Sequence, residues 1–356
     1  MKILAINPGS TSTKVALFED ESQLWSDTQR YDVEVIKQFS SIPDQEEFRL
    51  VEIKKALAAH HTDLTSLDAV VGRGGLLKPI PSGTYIVSEP MLEDLRSCRY
   101  GSHASNLGAP LAFRLAQQGS CNRSYIVDPV IVDEMIPEAR LSGLPEIKRR
   151  SIFHALNQKA VARRAVAELG KEPGSCNLVV AHMGGGISVG AHDCGRVVDV
   201  NNALDGEGPF SPERAGSLPS GGLVHLAYSG EHDLNGLLKR IVGGGGLVAH
   251  LGTNDLREVQ RRIDEEGDEK AALLFEALAY QVAKEIGACS AVLNGRVDAI
   301  VLTGGLAYSD RLVGKIRQRI SFIAPVLVYP GEDEMKALVE GALRVLQGVE
   351  KGREYR

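Results

Sequence analysis

The sequence predicts an α/β protein of two domains, and three observations carry that prediction. Short apolar, β-branched runs alternate with amphipathic helical stretches along the chain. A strand, a glycine loop and a second strand occur twice, once in ILAINPGSTSTKVALFED near the start and again in LVVAHMGGGISVGA at 178–191, which points to two related domains. The length, 356 residues, also exceeds what one typical core organises.

In the first copy ILAI is a strand that runs into Asn7, Pro8 and Gly9, and VALFED returns with Val15 and Leu17 on alternate positions. A third strand is expected near Leu24 and Trp25. Residues 44–61 carry Phe48, Val51, Ile53 and Leu57 at helical spacing. A helix is expected within 152–169. In the second copy the strand ends at His182, the loop is Gly184 to Gly186, ISVGA returns, and the turn DCGR leads to the strand VVDV. A long helix, apolar on most faces and so expected to be centrally packed, spans 269–292. AIVLTGG at 299–305 reads as a buried strand ending in a glycine turn, followed by a helix near 309–320. IAPVLVYPG reads as a strand whose Pro325 favours an edge or a start. A terminal helix covers 333–348.

Composition excludes several classes. The chain is 43% hydrophobic and 24% charged with a formal net charge of −6, which argues against nonspecific nucleic-acid binding. The basic triplet Lys148 to Arg150 reads as a solvated loop. No apolar run approaches a membrane span, and Lys2 precedes only four apolar residues before Asn7, far short of a signal peptide. The five cysteines contain no CxxC pair and read as reduced, mostly buried thiols of a cytoplasmic protein, with no metal cage.

The residues AINPGSTSTK combine glycine, hydroxyls and a lysine, a composition suited to phosphate. They lack the GxxxxGK[ST] order of the common nucleotide loop, and a strand follows instead of a helix. Two such hairpins plus a strand ending in Gly304-Gly305 resemble the actin, Hsp70 and sugar-kinase superfamily. The ordered set of Asn7 to Lys14, Phe153-His154, HMGGG at 182–186, Asp255 to Arg257 and Gly304-Gly305 resembles the acetate kinase family over essentially the whole chain. Within it, RGGLLKPIPSG, HASNLGAP, VDPVIVDEM, SIFHALNQKAV and NNALDGEGPFSPERAG look like the butyrate kinase branch.

That resemblance implies two ribonuclease-H-like (actin-like ATPase) domains with ATP in an interdomain cleft, its phosphates gripped by the two hairpin turns. The implied domains are 1–130 with 335–356, the terminal helix packing back, and 131–334. The implied reaction moves the γ-phosphoryl of ATP to a short fatty acid, butanoate, giving an acyl phosphate and ADP. Acetate, propionate or isobutyrate is an alternative acceptor, and a non-enzymatic nucleotide-gated module of the same fold is another reading. Mg²⁺ and a homo-oligomer, a dimer or larger, are also implied.

Residue by residue, Arg73 either makes a surface salt bridge or holds the substrate carboxylate as a bidentate fork. The resemblance favours the second, with His103 beside the substrate. Arg214 pairs with Glu213 or, by resemblance, stabilises the transferring phosphoryl. His154, near a helix start, and Asp128, at a strand end before proline, match catalytic positions of the family. A carboxylate is already an anion and needs no general base, so Asp128 is expected to orient substrate or a metal's water shell. Ser10, Ser12, Lys14, His182, Gly184, Gly185, Gly186, Asp255, Leu256, Arg257, Gly304 and Gly305 match nucleotide contacts. Asp255 or Asn254 also suits a helix cap. Asn7 and Glu334 match metal-linked positions. The chain departs from the family with Gly74, Gly75 and Leu76 after the arginine, with Gly185 for a loop asparagine, and with Asp333, Glu334 and Met335 near the end, which leaves Glu332 as a second metal-linked candidate.

Overall fold

Ile3 to Ile6 are wholly buried, so β1 must be covered on both faces, and the elements around it show how. The computed structural model describes residues 1–356. In chain order these are β1 (Lys2–Pro8), β2 (Ser12–Glu19), β3 (Ser22–Arg30), α1 (Val33–Ile36), α2 (Glu46–Ala59), β4 (Ala69–Arg73), β5 (Thr84–Ile86), α3 (Glu89–Arg96), α4 (Gly108–Gln118), β6 (Ser124–Val127) and α5 (Ala155–Glu168). They continue with β7 (Leu178–Met183), β8 (Ile187–Asp193), β9 (Arg196–Val200), α6 (Ser220–Tyr228), α7 (Leu234–Ile241), α8 (Gly246–Leu251), α9 (Leu256–Glu266), α10 (Glu269–Val292), β10 (Ala299–Gly304), α11 (Asp310–Ile320), β11 (Val326–Pro330) and α12 (Glu334–Leu346). The chain divides into two units, Met1–Val132 with Asp333–Arg356, and Asp133–Glu332.

The first unit holds a six-stranded sheet ordered β3-β2-β1-β4-β6-β5, with β1, β4 and β6 parallel and β2 and β3 antiparallel meanders. Leu4, Ile6, Val15 and Leu17 pack on Leu50, Ile53 and Leu57 of α2 and Leu111 and Leu115 of α4. α12 also lies against β1, β4 and β6. Its Gly341 comes so close to β6 that a Cβ there would sit 2.5 Å from Val127. Of the apolar positions expected to face the core on α2, Val51 is exposed, and Arg49 takes a wholly buried place instead.

The second unit repeats the plan with a five-stranded sheet ordered β11-β10-β7-β8-β9. Read from the meander inward, β9-β8-β7-β10-β11 matches β3-β2-β1-β4-β6 in order and direction. Both meanders carry a register shift between their second and third strands, at Leu17/Phe18 and at Ala191/His192. β11 is an edge strand with Pro325 just before it, as the proline requires. One face of this sheet packs on α10 and α11 through Phe275, Leu278, Val282, Ile286, Leu312 and Ile316. The other packs on α5 through Val161, Ala162, Ala165 and Val166. α10 buries only one side: Leu273 is 69% and Tyr280 54% exposed, so it is not sheathed on most faces as its composition predicts. Two further expectations are corrected. Arg149 is no solvated residue, because Asp199 at 2.9 Å and Glu207 at 3.2 Å hold it half-buried. The thiols are not mostly buried: only Cys176 and Cys289 are, Cys98 and Cys121 are half-buried, and Cys194 is exposed. No helix is long and apolar enough to cross a membrane.

Candidate active site

Strand register assembles the first unit's polar cluster. Residues Ile3 and Ala5 of β1 stand beside Ala69 and Val71 of β4, so Asn7 and Arg73 continue that pairing on one face, and Lys14 is opposite Asn7 on β2. α12 begins at this strand end with Glu334 in its first turn. Asn7 Nδ2 donates to Glu334 Oε2 at 2.6 Å and Arg73 Nη1 donates to the same oxygen at 2.8 Å. Arg73 Nη1 also lies 3.4 Å from Asn7 Oδ1. The residues expected to hold a metal and the one expected to hold a carboxylate therefore share one carboxylate. His103 Nδ1 accepts the Ser105 N–H at 3.2 Å. Burial, then the charge of Arg73, lowers the His103 pKa. Asp128 has φ +38° and its carboxylate accepts the Gly83 N–H at 2.7 Å, which ties the end of β6 to the start of β5. Gly74 and Gly75 are packing residues: a Cβ would lie 2.5 Å from Pro129 Cβ or 2.6 Å from Asn106 Cα.

The first glycine loop has a support that sequence reasoning missed. Arg49, fully buried on α2, donates to the carbonyls of Gly9 and Ser12, both at 2.8 Å, and of Ser10 at 3.1 Å. It also bonds Thr13 Oγ1 at 3.0 Å and Gln45 Oε1 at 2.8 Å, and stacks 5.1 Å from the Tyr31 ring. Gripped by its carbonyls from beneath, the loop leaves Ser10 and Lys14 exposed. An arginine in a helix reads as a solvent-facing residue, and only its place between Phe48 and Leu50 hinted otherwise.

In the second unit the two-residue period of β7 puts Leu178, Val180 and His182 on the α5 face. His182 Nδ1 bonds Asn157 Oδ1 at 2.7 Å, and its Nε2 lies 3.0 Å from Glu332 Oε1. Glu332 and Glu334 are thus separated by partner: the first meets His182, the second Asn7 and Arg73. His154, at the position before α5, stacks on His182 with ring centroids 3.8 Å apart and 12° between planes. Its Nδ1 is 2.9 Å from Ser188 Oγ on β8.

Arg214 does not pair with Glu213. It donates to the Ala203 carbonyl and lies across the second glycine loop, where a Cβ on Gly186 would be 2.0 Å from Nη1. Burial lowers the Arg214 pKa, against the opposing charges of Glu213 and Asp205. Glu213 instead accepts from Asn254 Nδ2 at 2.7 Å. The same loop borders a cavity of about 650 Å³ lined by Gly184, Gly185, Asp255, Leu256, Arg257 and Gly305, together with Gln260, Tyr308 and Ser309. Six of the expected nucleotide contacts therefore meet in one pocket of ordinary ligand size. Asp255 caps α9 through the Arg257 N–H. The Arg257 side chain, then that N–H, hold its carboxyl down to about 2. Gly304 does not line the cavity. It is glycine because φ is +87° and a Cβ would sit 2.4 Å from the Met183 carbonyl, whereas Gly305 faces open space.

A sequence profile of the acetokinase family matches residues 136–320, more than half the chain, and the chain belongs to that family of carboxylate kinases that use ATP and ADP. Its actin-like ATPase fold is similar to that of acetate kinase from Porphyromonas gingivalis, at 20% identity and TM-score 0.80 over 97% of this chain and 99% of that one. It is similar to a propionate kinase from Francisella tularensis subsp. tularensis SCHU S4, at 19% identity and TM-score 0.74 over 96% and 98%. It is also similar to acetate kinase from Entamoeba histolytica, at 16% identity and TM-score 0.76 over 96% and 98%.

Proposed function

We propose that the acceptor is butanoate, so that the chain forms butanoyl phosphate and ADP from butanoate and ATP, reversibly. One observation carries the kinase part of this reading: a half-buried arginine, Arg214, lies across a glycine loop that borders a nucleoside-sized cavity. The choice of butanoate is supported by the segments around Arg73, His103, Asp128, His154 and Arg214 that look like butyrate kinases.

In this reading Arg73 binds the acceptor carboxylate and His103 packs beside it. Lys14, Ser10 and Ser12 offer donors to phosphate from the first loop, and Gly184 to Gly186 with His182 do so from the second. Asp255 to Arg257 and Gly304-Gly305 receive the nucleoside. Arg214 and His154 donate to the equatorial oxygens of the transferring phosphoryl, where negative charge accumulates. Asp128 takes no proton, since the nucleophile has none to give. It holds its loop and orients substrate.

Asn7 and Glu334 fit a Mg²⁺ that arrives with nucleotide. One carboxylate and one amide are too few for a protein cage but suit an ion that keeps waters and phosphate oxygens. Bound there, the ion would neutralise charge on the nucleotide phosphates. A cytoplasmic homo-oligomer belongs to the same proposal, supported by the exposed Leu273 and Tyr280 on α10, and sedimentation tests it.

The test of the acceptor is acyl-hydroxamate formation with ATP across acetate to hexanoate. The expected result is the highest kcat/KM on butanoate, with neighbours differing by about 1–3 kcal/mol per methylene. A maximum at acetate would overturn the acceptor, and no hydroxamate with any acid would overturn the reaction.

A further inference from the structure

Ser188, Gly190 and His192 follow one another on the same face of β8, and Gln158 of α5 lies across them. The glycine makes the room: a Cβ on Gly190 would be 2.7 Å from Gln158 Oε1. Gln158 and Ser188 are fully buried, and His192 is 1% exposed.

The direction of the hydrogen bonds that link Gln158, Ser188, His192 and His154 Nδ1 follows from one group that can only accept. Gln158 bonds the Ser188 backbone carbonyl at 3.0 Å, so the nitrogen of its amide faces that carbonyl. The second hydrogen of that nitrogen then goes to Ser188 Oγ at 2.9 Å. The amide oxygen is left facing His192 Nε2 at 3.0 Å, which must donate. His192 Nδ1 is correspondingly a buried nitrogen with no partner, as an unprotonated ring nitrogen would be. Ser188 Oγ also receives the His154 backbone N–H at 3.4 Å. With both of its lone pairs occupied, the hydroxyl has only its proton to offer His154 Nδ1 at 2.9 Å.

We propose that Gln158, Ser188 and His192 form a buried relay that fixes neutral His154 as the tautomer protonated on Nε2, so that it meets a phosphoryl oxygen as an N–H donor. The inference deepens the proposed role of His154 and rests on that reading for its catalytic consequence, though not for the tautomer itself. Ser188, Gln158 and His192 are positioning residues, acting through the ring of His154. The opposite tautomer would turn a lone pair toward the anion and repel it.

The test is ¹⁵N NMR of histidine-labelled full-length protein near pH 8, with His154 assigned by the His154→Ala difference. The expected wild-type spectrum has a pyridine-type Nδ1 and a pyrrole-type Nε2 on His154. Ser188→Ala is expected to give mixed tautomers, with kcat falling about tenfold, the order of one hydrogen bond, and KM for ATP unchanged. Gln158→Met is the second variant: it removes the amide that orients the hydroxyl, and is expected to give the same spectral change. A wild-type His154 protonated on Nδ1, or a tautomer unmoved in both variants, would overturn the relay. A shifted tautomer with unchanged kcat would support the relay and overturn the role of His154 toward phosphoryl.

Discussion

His154 and His182 lie face to face, ring centroids 3.8 Å apart, one from the start of α5 and one from the end of β7. Each ring is held in its plane by a different partner, Ser188 for the first and Asn157 for the second. His154→Ala should lower kcat by about 10²–10³, the usual cost of one donor to a developing charge. KM for ATP should stay near its wild-type value. His182→Phe keeps a flat ring against His154 and should cost less. Steady-state kinetics of both variants check this, and equal losses would mean that the donor His182 offers phosphate outweighs its stacking on His154.

Arg49 should be the most costly substitution outside the polar clusters. Arg49→Met leaves the carbonyls of Gly9, Ser10 and Ser12 without their buried donor. A stability loss of about 3 kcal/mol or more is expected in urea titration, because buried Gln45 Oε1 and the loop carbonyls lose a charged donor. Amide exchange in residues 9–12 should rise more than in β4. A neutral variant would contradict the clamp.

Arg73 and Glu334 make separable predictions. Arg73→Ala should raise KM for the acid at least about tenfold, the order of one charge-assisted hydrogen bond, and affect ATP less. Glu334→Gln should raise the Mg²⁺ concentration needed for half-maximal rate while sparing KM for the acid. Titrating metal and acid in turn for both variants checks this, and an interchange of the two effects would reverse the assignments.

His192 predicts a pH dependence of stability. Burial, reinforced by Lys159 and Arg163 and opposed by Glu134, pulls its pKa from 6.5 down to about 3. Between those values the unfolded chain binds a proton that the folded chain refuses, so stability is present above pH 6.5 and is lost as pH falls toward 3. The slope from this one group approaches about 1.4 kcal/mol per pH unit. His192→Gln should therefore unfold with a shallower pH slope between pH 6 and pH 4.5 than wild type, measured by urea midpoints across the range. Coincident slopes would contradict a neutral buried ring.

The strands that carry the site were legible because buried β-branched runs such as AIVL and LVVA announce themselves, and the doubled meander is their repetition. Helices α6 and α7 were not, since SGGLVHLAY is glycine-rich and neither helix buries a residue to impose a period. The loops, Arg73, His154 and Arg214 could be picked out by type and order. Arg49 could not, because the alternation that marks a helix face counts charge as exposed. The partnership of Gln158 with His192 depends on strand register and on the missing Cβ of Gly190, which no local pattern encodes.

The most direct test of the central claim is acyl-hydroxamate formation from ATP and butanoate by wild type and by Arg214→Ala of unchanged melting temperature. The expected result is activity in the wild type and a loss of about 10³ or more in kcat for the variant, with nucleotide still bound. A variant as fast as wild type, or a wild type that forms no acyl phosphate, would contradict it.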